Sequence, residues 1–170
     1  MIKQHLAAFI VLFGTATASS AQSTFYLGAG TNNESEVTET DDTPFSFGFV
    51  GSPQGSSAVF GIDMAWEGEM LDSTFGSDSI RQALSINGVV GAKLYDSQNV
   101  TLSAAAIIGF RESFADCPDS FLGFQCYADS EPDTEYDLNL GALVLTTFDS
   151  VSVGVRVTQV STQAVLGFSF

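Results

Sequence analysis

The sequence predicts an all-β fold: an eight-stranded antiparallel up-and-down transmembrane β-barrel, with its apolar face outward. Apolar and polar residues alternate with period two in eight segments, and no useful length of chain after residue 21 shows helical periodicity. Long and short connections alternate between these segments, which places the long connections at one end. The face opposite the apolar one carries glycines and charges of both signs, as expected for a narrow barrel interior.

Residues 1–21 have the layout of a secretory signal peptide. Lys3 precedes an apolar stretch, residues 6–13, and small residues follow it. The apolar stretch is too short to span a bilayer as a helix. We expect cleavage after Ala21, with cleavage after Ala18 as the alternative; a buried N-terminal helix is the competing interpretation. Residues 22–170 then form one exported domain.

The first four predicted strands are 23–31, 44–51, 57–68 and 82–95. Every second residue in them is apolar over most of the strand: Phe25, Leu27 and Ala29; Phe45, Phe47 and Phe49; Ala58, Phe60, Ile62, Met64 and Trp66; and Leu84, Ile86, Val90 and Leu94. This alternation gives each strand one strongly apolar face.

The last four predicted strands are 100–110, 135–148, 151–158 and 162–170. Their alternating apolar residues are Val100, Leu102, Ala104, Ala106, Ile108 and Phe110; Tyr136, Leu138, Leu140, Ala142 and Val144; Val151, Val153, Val155 and Val157; and Ala164, Leu166, Phe168 and Phe170. Short turns follow the second, fourth and sixth strands, and long polar segments follow the first, third and fifth. The short link around residues 159–162 is the exception.

The aromatic residues decide which face points outward. Near the end that holds both termini lie Phe25, Phe148, Phe168 and Phe170, and near the other end lie Phe45, Trp66, Phe110 and Tyr136. Two aromatic girdles around an aliphatic band match the two interfaces of a membrane. Phe47 and Phe60 do not fit this arrangement. A soluble lipocalin-like barrel, with the apolar face inside, is the alternative.

The opposite face is predicted to line the lumen and to carry a charge network. Its members are Asp63, Glu67, Lys93, Arg111, Asp137 and Arg156. We expect Arg111 to pair with Asp137, and Arg156 to join through Asn139 or Asp63, because charges in a narrow lumen must be compensated. A closed barrel has no free edge, so the last strand must pair with the first.

Residues 162–170 resemble the terminal strand of Gram-negative outer-membrane barrels, in which alternating hydrophobic residues ending in phenylalanine form a recognition signal for the assembly machinery. The signal peptide, the eight strands and the long acidic connections together make residues 22–170 similar to the small OmpA/OmpX-type barrels. This resemblance implies an outer-membrane location with periplasmic termini and the long loops outside the cell. It also implies contacts with lipid, lipopolysaccharide and the barrel-assembly machinery, with Phe170 as the assembly signal. We expect a monomer.

Composition excludes several function classes. The net charge of −15, with five Lys and Arg residues, argues against nucleic acid as a partner. His5 is the one histidine and lies in the predicted signal peptide, so a deacylase-type or omptin-type site cannot be assembled. The acidic pairs Glu67/Glu69 and Asp41/Asp42 are interpreted as solvated charges at loop ends. We therefore predict a non-enzyme with no catalytic residues.

No cofactor or metal site is predicted. The carboxylate-rich segment 129–137 lacks the glycine-centred spacing of a calcium loop, and its bridging of divalent cations to lipopolysaccharide is a hypothesis. Cys117 and Cys126 are expected to form a disulfide, because two thiols without histidine leave a zinc site two ligands short.

The sequence thus favours a structural or surface-interaction role for a barrel that presents acidic extracellular loops. A narrow channel for ions or small solutes is the alternative, and a soluble secreted binder is a third. The sequence does not identify the extracellular partner.

Overall fold

The computed structural model describes residues 22–33, 43–71, 80–116 and 133–170. These residues form the eight strands β1 (Gln22–Asn32), β2 (Phe45–Ser52), β3 (Ala58–Leu71), β4 (Ile80–Asp96), β5 (Val100–Asp116), β6 (Asp133–Phe148), β7 (Val151–Thr158) and β8 (Ser161–Ser169). The predicted all-β fold with eight strands is confirmed. The predicted signal peptide, 1–21, and the predicted disulfide between Cys117 and Cys126 lie outside the described residues.

The strands pair in sequence order, each antiparallel to its neighbour, and the sheet closes into a barrel. The closing ladder joins β1 to β8, with Phe25 opposite Phe168 and Leu27 opposite Leu166. Beyond this ladder, the Phe170 N–H donates to the Ser23 carbonyl at 2.8 Å, and the Ser23 N–H donates back to Phe170 at 3.0 Å. The prediction that the last strand pairs with the first is therefore confirmed.

The rim opposite the termini, here called the loop end, is uneven. β5 continues to Asp116, six residues past its predicted end, and β6 begins at Asp133, two residues before its predicted start. The β6–β7 ladder ends at Gly141 and Thr158, so β6 extends well past β7. Strands β3 to β6 therefore form a taller wall than β7, β8, β1 and β2.

Three β-bulges interrupt the taller wall. They lie in β3 between Trp66 and Glu69, in β4 between Lys93 and Tyr95, and in β5 between Glu112 and Phe114. Each bulge adds one residue to one strand, so the residues beyond it change faces. At the β3 bulge Gly68 has φ +67°, a left-handed conformation that glycine adopts without strain.

The outward face is apolar on every strand. Exposed large hydrophobic residues occur on all eight strands, from Phe25 on β1 to Phe168 on β8. The buried polar and charged residues point into the lumen instead. This distribution is the inverse of a soluble barrel and matches the predicted orientation of the apolar faces. Within the described residues, no helix is long and apolar enough to cross a membrane.

The lumen is not polar throughout, which corrects the expectation from sequence. Eight buried residues pack together across its middle, and we call them the apolar layer: Tyr26, Val50, Val59, Val89, Ile107, Leu143, Leu145 and Val165. A barrel this narrow leaves space for side chains to fill its interior, and here apolar side chains fill the middle.

Gly48 on β2 leaves room for the largest member of the apolar layer. A Cβ atom at position 48 would lie 2.3 Å from Cζ of Tyr26. Since a clash that close displaces the ring, the missing side chain lets Tyr26 lie flat against β2. Glycine thus serves packing here rather than flexibility.

Candidate functional site: the charged cluster in the lumen

The lumen holds a buried ionic group that we call the charged cluster: Asp63 and Glu67 on β3 and Arg156 on β7. The Arg156 Nη1 atom lies 2.6 Å from Glu67 Oε2, and Nη2 lies 2.7 Å from Asp63 Oδ1. All three side chains are completely buried. One planar guanidinium thus bridges two carboxylates four residues apart on the same strand, a geometry that suits arginine and that lysine could not reproduce.

Glu67 accepts hydrogen bonds from five residues. Apart from Arg156, the donors are the Ser85 hydroxyl at 2.7 Å and the Asn139 amide at 3.0 Å, both to Oε1, and the hydroxyls of Thr158 and Ser161 to Oε2. Every lone-pair direction of the carboxylate therefore has a donor. A buried carboxylate with this many donors is stable in its ionised form.

Asp63 is saturated in the same way. The Tyr26 hydroxyl donates to its Oδ2 atom at 2.7 Å, and the Asn87 amide donates to Oδ1 at 2.8 Å. The Asn139 amide donates onward to the Asn87 carbonyl oxygen at 3.0 Å. The charged cluster and its donors therefore connect β1, β3, β4, β6, β7 and β8 across the lumen.

Six charged residues were predicted to line the lumen, and the structure brings three of them together: Asp63, Glu67 and Arg156. Lys93 lies near the terminal end instead, where its Nζ atom is 3.3 Å from Asp96 Oδ2. Arg111 is the register partner of Asp137 on the neighbouring strand, and the ion pair between them stays a prediction. Its Nη1 atom donates to the Glu112 carbonyl at 3.1 Å, and the guanidinium lies beside Gly68, the residue after Glu67.

The interpretation of Glu67 as a solvated charge at a loop end is wrong. Glu67 is completely buried, because β3 continues to Leu71 and keeps position 67 within the barrel. The same polar-face assignment that placed Asp63 in the lumen also placed Glu67 there, and that assignment agrees with the structure. The other members of the proposed acidic pairs are Glu69, whose side chain is not described, and Asp41 and Asp42, which lie outside the described residues.

The residues assigned to the aromatic girdles all lie on the outward face. Seven of the eight are exposed, and Trp66 is half-buried. At the loop end Phe45 stacks on Trp66, with ring centroids 6.1 Å apart. At the terminal end Phe168 stacks on Phe170, with ring centroids 6.4 Å apart.

Sequence reasoning missed the neutral partners of the charged cluster. The direct donors are Tyr26, Ser85, Asn87, Thr158 and Ser161, and Gln163 and Ser46 extend the network beyond Ser161. All of them except Ser161, which falls in the link predicted between the last two strands, lie on the polar face of a predicted strand. A hydroxyl or amide on that face, however, does not indicate a specific partner. The exposed Tyr95 at the terminal end was also missed, because the β4 bulge turns it outward.

The lumen is layered along its axis. Toward the terminal end a chain of hydroxyl hydrogen bonds joins Thr24, Ser169, Ser152 and Thr147. A cavity of about 30 Å³ lies at that end, bordered by hydroxyls, by Lys93 and by the nearest side of the apolar layer. The apolar layer and then the charged cluster follow. Along β3, the buried Met70 comes after Glu67 toward the loop end.

This arrangement does not offer a reaction centre. The three side chains of the charged cluster are inaccessible to solvent, so a substrate cannot reach them, and the carboxylate oxygens already accept hydrogen bonds. Among the described residues, no group of three or more acidic, histidine or cysteine side chains is placed to hold a metal ion. The geometry instead suits a rigid element that holds opposite walls of the barrel together.

No protein-family model matches the chain, and no curated protein matches it. The chain is similar to the solution structure of outer membrane protein H (OprH) from P. aeruginosa in DHPC micelles. The two are 15% identical, with a TM-score of 0.44, over 89% of this chain and 100% of that chain. The barrel described above rests on the strand pairing of this chain itself.

Proposed function

We propose that this protein is an integral outer-membrane barrel with a structural or surface-interaction role, and that its lumen is closed. In this proposal residues 1–21 direct export, the termini face the periplasm, and the polar segments 33–43, 72–79 and 117–132 face outside the cell. The observation that carries the proposal is the inverted barrel: apolar residues outside, and a saturated ionic group inside.

The outward face fits lipid rather than water. Ile62, Ile108 and Val90 are all more than half exposed, and similar residues continue around the whole circumference. A water-soluble protein rarely exposes a continuous apolar belt of this extent, whereas a membrane barrel requires one. Closure of the sheet also pairs its edges, the condition under which strands enter hydrocarbon.

The layered lumen favours a structural role over a channel. An ion moving along the axis would have to displace the apolar layer and then separate Arg156 from two carboxylates. Both steps are costly, because the first removes the ion from water and the second leaves buried charges uncompensated. A soluble ligand-binding barrel is also disfavoured, since its binding cavity would need the apolar face inside.

The surface-interaction part of the proposal rests on charge. The chain carries 20 acidic and five Lys and Arg residues, and many of the acids fall in the long connections. An acidic outer surface attracts cationic partners and repels anionic ones over a distance of about 8 Å at physiological ionic strength. The absence of histidine after residue 5 further supports a role other than histidine-dependent hydrolysis.

The first test is the electrophoretic mobility of the protein in an isolated outer-membrane fraction, with samples kept cold or boiled in SDS. A closed barrel that resists cold SDS is expected to migrate differently from the boiled chain. The matched control is the same protein recovered from periplasm and medium. Recovery mainly in those soluble fractions, with no heat-dependent shift, would contradict the membrane proposal.

The second test separates the closed barrel from the channel. Purified protein in planar bilayers is expected to give no conductance above the lipid background. Reproducible conductance steps in the wild type, altered by Arg111→Ala or Arg156→Ala, would show that the lumen conducts and would overturn the closed-lumen part of the proposal.

A further inference from the structure

The taller wall of the barrel ends where the long strand β6 pairs with the shorter strand β7. Their ladder stops at Gly141 and Thr158, and one more contact follows, from the Gln159 N–H to the Leu140 carbonyl at 3.2 Å. β6 continues for seven residues beyond that point, to Asp133. At about 3.3 Å per residue, this extension is about 23 Å long. We call its side facing away from β5 the β6 edge, residues 133–139.

The backbone polarity of the β6 edge follows from that last contact. The Leu140 carbonyl points toward β7, and the N–H and C=O groups of a strand residue point to the same side. Because sides alternate with period two, the backbone groups of Leu138 and Tyr136 also point away from β5. Among the described residues, the β6–β7 ladder supplies no partner for these two positions.

The side chains along the β6 edge alternate between two chemical types. Glu135 and Asp137 share the face of the inward-pointing Asn139, yet both are exposed, because β7 and β8 end below them. Tyr136 and Leu138 lie on the outward face, and both are more than half exposed. On β5, Arg111 is the register partner of Asp137, which leaves the face with net negative charge.

We propose that the β6 edge is a docking site for an extended cationic segment of a partner protein, in which Lys or Arg alternates with apolar residues. The segment would add a strand beside β6, with its backbone pairing to Tyr136 and Leu138. Its cationic side chains would lie beside Glu135 and Asp137, and its apolar side chains beside Tyr136 and Leu138, since directly opposed residues in a sheet are close enough to interact.

The negative charge of the β6 edge favours a cationic segment over a second copy of the chain. Two β6 edges paired with each other would bring acidic residues together, and like charges on neighbouring strands destabilise the pairing. Charges on an edge strand also discourage self-association in general. With a cationic partner, Glu135 and Asp137 make attractive interactions and not repulsive ones. This inference rests on the proposed surface-interaction role, because it requires the loop end to face outside the cell.

The test uses a labelled nine-residue peptide that alternates Lys and Val, added to the folded barrel in uncharged detergent micelles. A peptide of the same composition with all its Lys residues in one block is the control. We expect tighter binding of the alternating peptide by fluorescence anisotropy. Hydrogen exchange should show new protection at the amides of Tyr136 and Leu138, and no comparable change at Glu135 and Asp137.

Two variants test whether the peptide binds at the β6 edge. Glu135→Gln combined with Asp137→Asn should weaken binding about fivefold to tenfold, since two cross-strand charge pairs are lost. Leu138→Pro removes an N–H on the side away from β5, a change that edge strands tolerate, and should abolish binding while the cold-SDS mobility stays that of a folded barrel. Asp96→Asn changes the charge equally at the terminal end and should leave binding unchanged.

Equal binding of both peptides, or binding without protection at Tyr136 and Leu138, would overturn the inference and indicate only non-specific attraction to an acidic protein. If Leu138→Pro fails to fold, the exchange pattern of the wild type still decides the question. A negative result for docking at the β6 edge would leave the proposed membrane role intact, because that role is tested by fractionation and heat-dependent mobility.

Discussion

Arg156 and Lys93 both form ion pairs inside or near the lumen, but at different depths. Arg156 lies 2.6 and 2.7 Å from two carboxylates, and none of the three side chains is accessible to solvent. Lys93 lies 3.3 Å from Asp96, three residues along the same strand, and the Lys93 and Asp96 side chains are 15% and 54% exposed. The first group links β3 to β7 across the barrel, whereas the second stays within β4.

The difference shows that depth, rather than charge type, decides what an ion pair does in this barrel. When a buried pair loses one partner, the other is left as an uncompensated charge in a medium that solvates it poorly. When an exposed pair is broken, water and salt replace the partner. The charged cluster should therefore contribute to the stability of the closed barrel, and the pair of Lys93 with Asp96 should not.

The largest effect is expected for Arg156→Met. Removing the guanidinium leaves Asp63 and Glu67 facing each other without a cation, so the free energy of unfolding should fall by about 3–5 kcal/mol. The measurement is urea unfolding of the barrel in lipid vesicles. Trp66 is the single tryptophan of the chain and reports on the loop-end girdle by its fluorescence.

A neutral version of the charged cluster is the control for that prediction. Combining Arg156→Met with Asp63→Asn and Glu67→Gln removes the buried charges together, so most of the lost stability should return. If the triple variant is as unstable as Arg156→Met alone, lost packing around the arginine stem, rather than uncompensated charge, explains the effect.

Gly48→Ala should be the next most severe change. The added methyl group would lie 2.3 Å from the Tyr26 ring, so the ring must move and its hydroxyl must leave Asp63. Overpacking and a lost hydrogen bond to a charged group together predict a loss of about 2–4 kcal/mol. Gly51→Ala on the same strand is the matched control, because the nearest atom to its added Cβ is 3.6 Å away. Equal losses for both variants would mean that strand propensity, not the Tyr26 ring, is responsible.

Tyr26→Phe isolates the hydrogen bond from the packing. The ring stays in the apolar layer, and Asp63 loses one donor but keeps Arg156 and Asn87. We expect a loss of about 1–2 kcal/mol in the same urea experiment. The loss should be smaller when Asp63→Asn is also present in the Arg156→Met background, since the hydroxyl then donates to a neutral amide oxygen and not to an anion. An undiminished loss there would assign the effect to the hydroxyl's other surroundings.

Alternation was sufficient to predict the fold. Period two revealed every strand, and the apolar belt revealed the orientation of the faces, because a one-residue change of register would bring charges such as Asp63 and Arg156 to the outside. The same alternation predicted that Asp63, Glu67 and Arg156 point into the lumen. Alternation does not show which residues of different strands lie at the same height in the barrel. The contact of Arg156 with both carboxylates could therefore be identified only from the strand register of the structure.

The apolar layer and the bulges were missed for separate physical reasons. In β4, β5 and β6 the apolar layer includes Val89, Ile107 and Leu143, and each of them is next to an outward apolar residue. These segments therefore resemble continuous apolar runs, in which alternation does not show which residues point inward. A bulge adds a single residue without a distinctive composition. Gly68 was a local signal for the β3 bulge, but the bulges at Lys93 and Glu112 contain no glycine or proline.

The smallest effect is expected at the terminal end, where Asp96→Asn should leave the midpoint of urea unfolding unchanged. The Asp96 carboxylate also accepts a hydrogen bond from the Thr101 hydroxyl at 2.9 Å, and an amide oxygen can accept the same bond. Repeating the measurement at low and high NaCl sharpens the comparison, because salt screens exposed charges but not buried ones. Arg156→Met should remain destabilised at both salt concentrations, and Asp96→Asn should match the wild type at both. A clear loss of stability in Asp96→Asn at low salt would show that depth does not separate the effects of the two ion pairs, and that the turn between β4 and β5 depends on charge.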